Sequence, residues 1–139
     1  MGKITKNIRE KVWNKYDCRC AYCGKPIEYK ELQVDHIDPI FRNDNEKDLL
    51  RMKVSRGKDS IENFNPACRR CNHWKSTFTI DKFREQIELQ LMRLKRDNTN
   101  YRMALDYGLL KEHPTPVKFY FETQKKNPDK DFGRRNFKP

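Results

Sequence analysis

Asp35 and His36 stand side by side between two matched cysteine pairs, Cys20-Ala21-Tyr22-Cys23 and Cys68-Arg69-Arg70-Cys71. A two-residue gap lets both sulfurs of a pair turn toward one ion, and Gly24 follows the first pair as a turn residue. Two such pairs give four soft thiolates. That set matches zinc's tetrahedral preference and closes its coordination sphere, so it describes a structural ion. A fifth cysteine, Cys18, is one residue from Cys20 and reads as a buried or free thiol. Adjacent residues on a strand point to opposite faces. Asp35 could therefore offer a hard oxygen to Mg²⁺ or Mn²⁺, while His36 could take a proton from water near neutral pH. An Asp-His pair by itself is more often an ordinary solvated or hydrogen-bonded strand end.

The composition narrows the partners. The chain has 139 residues, 31 Lys+Arg against 20 Asp+Glu, and a formal net charge of +11. Such a balance favours a polyanion, most simply nucleic acid. No apolar run is long enough to span a bilayer, and the first residues lack a signal-peptide core. The expectation is a cytoplasmic protein without a membrane partner, where paired cysteines bind metal instead of forming disulfides. With 35% hydrophobic residues, the core is thin, and a structural ion would add folding free energy.

Periodicity outlines the elements that must hold these residues. Ile8, Val12 and Tyr16 predict a helix from Ile4 to Tyr16. Alternation predicts a strand over Glu31 to His36, halted near Pro39. From Arg42 to Ile61 the chain reads as a long loop with one short helix around Leu49 and Leu50, lined by Arg51, Lys53, Arg56 and Lys58. A helix opens at Cys68 and runs to Ser76. Thr79 caps a long helix from Ile80 to Arg96, with Phe83, Ile87, Leu91 and Leu94 as its core stripe. A helix over Tyr101 to Tyr107 stops at Gly108, and a late strand covers Val117 to Phe121. Residues 1–123 read as one domain and 124–139 as a flexible basic tail, whose Lys125, Lys126, Arg134 and Arg135 could form a loose DNA-binding arm.

The ordered run Cys20 to Gly24, then Asp35-His36-Ile37-Asp38-Pro39, then Asn63-Phe64-Asn65-Pro66-Ala67-Cys68-Arg69-Arg70-Cys71-Asn72-His73-Trp74-Lys75 resembles the HNH family of nucleases, small standalone type. The resemblance covers about Arg19 to Ser76. It implies an α+β fold with a ββα-metal core and a treble-clef-like zinc site, flanked by the N-terminal helix, the C-terminal helices and the late strand. It further implies a metal-dependent DNA endonuclease acting on double-stranded DNA, with structural Zn²⁺ on Cys20, Cys23, Cys68 and Cys71. Catalytic Mg²⁺ or Mn²⁺ would sit on Asp35 and Asn72. His36 would be the general base, Asn63 would orient it, and Arg69, Arg70 and Lys75 would contact phosphates. One departure stands out: His73 follows Asn72 directly and is the alternative second ligand. The competing reading is a zinc-stabilised module that binds nucleic acid without turnover.

Overall fold

The computed structural model describes residues 3–124. The basic stretch from residue 125 onward, with its expected DNA-binding arm, lies outside the described residues. The fold is α+β, built on a two-stranded antiparallel hairpin and the helix after it. Strand β1 is Gln33–His36 and β2 is Phe64–Ala67, in the register Gln33↔Ala67, Val34↔Pro66, Asp35↔Asn65 and His36↔Phe64. Helices α1 (Lys6–Asn14), α2 (Glu46–Met52), α3 (Arg69–Lys75), α4 (Ile80–Glu88), α5 (Gln90–Asp97), α6 (Thr99–Asp106) and α7 (Tyr120–Thr123) complete it. No helix among the described residues is long and apolar enough to cross a membrane.

Helix α1 is shorter than its apolar periodicity suggests. Thr5 caps it by accepting from the Ile8 amide at 3.2 Å, and the chain leaves the helix through Asp17 and Cys18, both at positive φ. Val12 is its buried contact. Two of its cations act as clamps. Arg9 donates to the Leu32 carbonyl ahead of β1 (2.7 Å), and Lys15 to the Phe64 carbonyl of β2 (2.7 Å). One helix thus satisfies carbonyls around both strands.

Strand β1 begins two residues later than expected, because Tyr29–Glu31 closes into a 3-10 turn. The long helix expected from Ile80 is interrupted for one residue at Leu89, and nothing in the structure explains the break. Its apolar stripe also divides. Phe83 and Ile87 join the core, whereas Met92 and Leu94 are exposed on α5. Gly108 does end α6, at φ +73.

The expected strand Val117–Phe121 is not a strand. The chain is extended to Phe119 and then turns into α7, where the Tyr120 and Phe121 amides donate to the carbonyls of Tyr22 (3.1 Å) and Ala21 (2.7 Å). The alternation of aromatics here serves packing. Phe119 and Phe121 meet the Tyr22 ring edge-on at 5.4 and 5.9 Å, and Phe119 stacks on Phe83 at 5.0 Å. Glu122 accepts from the Phe119 amide (2.8 Å) and forks with Arg84 of α4, which fastens the segment to the core.

Candidate active site

The sulfurs of Cys20, Cys23, Cys68 and Cys71 all lie within 4.8 Å of one another. The first pair sits on a knuckle closed by Cys20 N→Lys25 O (2.8 Å) and Gly24 N→Cys20 O (3.0 Å). Gly24 has φ +77 and lies against the Tyr120 ring, where a Cβ would stand 3.1 Å from the ring edge. The second pair opens α3: Cys68 is its N-cap and accepts from the Cys71 amide at 3.4 Å. A tetrahedral zinc with Zn–S near 2.3 Å has S···S edges of about 3.8 Å; the Cys23–Cys68 separation is 3.9 Å. The cluster could hold zinc. Its sulfurs share protons as closely placed thiols do: Cys20 is held down to about 5, chiefly by the hydrogen bond with Cys71, and Cys71 is pushed up by that same bond.

Tyr22 lies between the first two ligands and points the other way, into the hairpin. Its hydroxyl donates to Asp35 Oδ2 and accepts from the Asn65 amide at 3.5 Å. Burial pushes the phenol pKa up, and the Asp35 charge adds to this. Asp35 is 6% exposed. Burial pushes its pKa above the ordinary carboxylate value, against the pull of the Lys75 charge and the Tyr22 hydroxyl. Asn65, opposite Asp35 in the register, is fully buried, and its Oδ1 has no hydrogen-bond partner among the described residues.

Lys75 departs from its expected role. It was expected to contact phosphate, yet its side chain is 0% exposed and its ammonium lies 3.0 Å from Asp35 Oδ2 and 2.8 Å from the His36 carbonyl. The reason is position: Lys75 follows Cys71 by one helical turn, on the face that α3 buries against β1. As placed, it is the counter-charge that makes a buried carboxylate tolerable. Asn72 lies three residues before Lys75 and shares that side of α3. It is half-buried. His73 is exposed. Arg69 is exposed and pairs with Glu31 at 3.4 Å. Arg70 is exposed and lies beside the sulfurs of Cys23 and Cys71.

His36 projects from the other face of β1, edge-on to Phe64 with centroids 5.1 Å apart. Its Nε2 lies 3.0 Å from Asp59 Oδ1. Sequence reasoning missed Asp59, because it sits 23 residues downstream in the long loop. Only the folding back of that loop pairs it with the imidazole. Asn63 supplies the fold-back. Its Oδ1 accepts from the Asp38 amide (2.9 Å), and its Nδ2 donates to the carbonyls of Asp38 (2.9 Å) and Lys58 (2.8 Å). The side chain thus ties the turn after His36 to the residue before Asp59. Arg56, one of the cations of this loop, donates to the carbonyls of Ile40, Phe41 and Asp44 and pairs with Glu46.

Residues 20–78 match the protein-family model described as HNH endonuclease. This segment is an HNH domain. It contains the four cysteines, Asp35, His36, Asn63 and Asn72. No curated protein matches the chain. Among solved structures the chain is similar to the type II-C Cas9 enzyme from Actinomyces naeslundii, at 25% identity and a TM-score of 0.46. The match covers 62% of this chain and 8% of that enzyme, and at that score it adds nothing to the assignment.

Gly57 shows how tightly the HNH loop closes. A Cβ there would stand 1.8 Å from the Asp38 carbonyl oxygen and 3.0 Å from Asn63 Nδ2. Gly57→Ala is therefore expected to push the loop off the turn after His36, at a cost of about 1–3 kcal/mol as for other overpacking changes. Thermal melts would measure this, and an unchanged melting temperature would mean that the close approach is dispensable.

Proposed function

We propose that the chain is a metal-dependent DNA endonuclease that hydrolyses phosphodiester bonds with His36 as general base. The observation that carries this reading is the end of β1 in the HNH segment: a half-buried imidazole oriented by a carboxylate, next in sequence to a buried aspartate under α3. With Nε2–H donating to Asp59, the lone pair resides on Nδ1, the nitrogen left to accept a proton from water. The negative Asp59 stabilises the imidazolium that results. Asn63 acts at one remove, by holding the Asp59 loop against the turn after His36.

Asp35 and Asn72 would supply a pair of hard oxygen donors that suits Mg²⁺ or Mn²⁺. The Tyr22 and Lys75 hydrogen bonds both fall on Asp35 Oδ2, which leaves Oδ1 for an ion. Asn72, half-buried and on the side of α3 that carries the buried Lys75, is favoured over the exposed His73 as the second ligand. A divalent cation there would supply charge neutralisation at the scissile phosphate. The four cysteines would hold structural zinc, bracing the start of α3. Arg69 and Arg70, both exposed, would take backbone phosphates, a salt-sensitive and sequence-blind contact.

Nicking of supercoiled plasmid with Mg²⁺ or Mn²⁺ tests the reading. Cleavage that requires the added cation is expected. DNA binding without cleavage under either cation would leave the non-catalytic binding module instead. Asp59→Asn keeps the size of the side chain and removes its charge. It should slow nicking by about tenfold to a hundredfold with the melting temperature unchanged, less than the loss of the general base itself would cost, because the imidazole stays in place. A wild-type rate would separate Asp59 from the mechanism.

A further inference from the structure

On the flank of α3 away from Asn72 runs a groove of about 440 Å³ that the cleavage chemistry does not use. Trp74 stands at its edge, 56% exposed, a large aromatic that the core leaves uncovered. Phe83 and Ile87 of α4 form one wall and Phe119 the floor. Arg70, one helical turn before Trp74, and Lys118, on the opposite lip, are both exposed and line the same groove. No carboxylate lines it among the described residues, and at its inner end it meets Cys23 and Cys71 of the sulfur cluster.

We infer that this groove seats an unstacked nucleobase of single-stranded or locally opened nucleic acid, with the base against Trp74 and its neighbouring phosphates at Arg70 and Lys118. An apolar slot alone would suit many occupants. Cations on both lips of an aromatic slot select a ligand that carries flat π-faces and negative charge at short intervals, which is the make-up of an unpaired strand. An acidic peptide has the charge without a ring for every charge. A closed duplex presents its phosphates but keeps its bases stacked. The net charge of +11 favours the same partner. The inference rests on the nucleic-acid reading of the site, yet it needs neither His36 nor a divalent cation. Failure to cleave and failure to stack are therefore separate results.

The test is binding of a short oligothymidylate, and of a blunt duplex of equal length, to the zinc-loaded full chain without added divalent cation. Fluorescence anisotropy reports affinity, and intrinsic tryptophan emission reports stacking. The single strand is expected to quench emission, and the quench should vanish in Trp74→Phe, which leaves Trp13 as the remaining tryptophan. Trp74→Ala should weaken single-strand binding about tenfold or more, the usual loss when a stacking ring is removed. Its effect on duplex binding should stay within about twofold. Lys118→Glu should weaken the single strand and make its binding less salt-dependent. Zinc content and circular dichroism verify that each variant is folded. Equal single-strand affinity in wild type and Trp74→Ala would overturn the inference. So would an equal loss of duplex binding, or a protein-concentration-dependent blue shift of Trp74 emission without nucleic acid, which would give the groove to a second copy of the chain.

Discussion

His36→Ala is expected to lower plasmid cleavage by about 10²–10⁴-fold, the usual contribution of a positioned general base. The domain should keep its fold and its four-sulfur site. The separation follows from where the residue sits. The imidazole lies on the face of β1 opposite Asp35, against Phe64 and Asp59, whereas the sulfurs and the Tyr22–Asp35–Lys75 cluster lie on the α3 side. The ring's structural contacts are one edge-on aromatic pair, worth about 0.5–1.5 kcal/mol, and one partly exposed hydrogen bond. The His36 carbonyl that receives Lys75 belongs to the backbone and survives the substitution. Nicking rate, zinc content and thermal melting measured together decide the matter. Undiminished cleavage by a zinc-loaded variant would remove His36 from the mechanism.

Cys71→Ala should have the largest effect on stability. Cys71 is buried in the core cluster that also contains Cys20, Tyr22, Phe83 and Phe119, and it lies at the start of α3. A structural zinc contributes on the order of 10–16 kcal/mol to folding in small zinc domains. The whole net stability of a domain is commonly about 5–15 kcal/mol. A site reduced from four thiolates to three should therefore leave the chain largely unfolded. The effect would reach the catalytic end as well, because α3 carries both Asn72 and Lys75. Loss of stoichiometric zinc, of cooperative melting and of nicking are expected together. A variant that melts like the wild type would show that the sulfur cluster is not what holds the hairpin and helix in place.

These two outcomes rest on features of unequal legibility. The cysteine spacing, the Asp35-His36 pair and the Asn63-to-Lys75 run were readable from the chain, because chelate geometry and a strand-to-helix order demand local patterns. The late aromatic segment misled, since alternation of Phe119 and Phe121 satisfies edge-on packing around Tyr22 as well as it would satisfy a sheet. Lys75 misled for a related reason. A basic residue on a site helix suggests phosphate, but its phase on α3 turns it inward onto Asp35.

The sequence alone determined the two matched cysteine pairs, the adjacent Asp35 and His36 and the surplus of positive charge, for each depends on residue type at short spacing or on summed charge. The tertiary structure decided which groups those residues face. Asp59 reaches His36 because Asn63 and Gly57 close a long loop. Tyr22 links the sulfur knuckle to Asp35 because the aromatic core turns its ring inward. Trp74 borders a cationic groove because the 117–119 segment passes beside α3. Each of these joins residues far apart in the chain, and such pairings are set by packing and loop closure, which leave no period for a sequence to display.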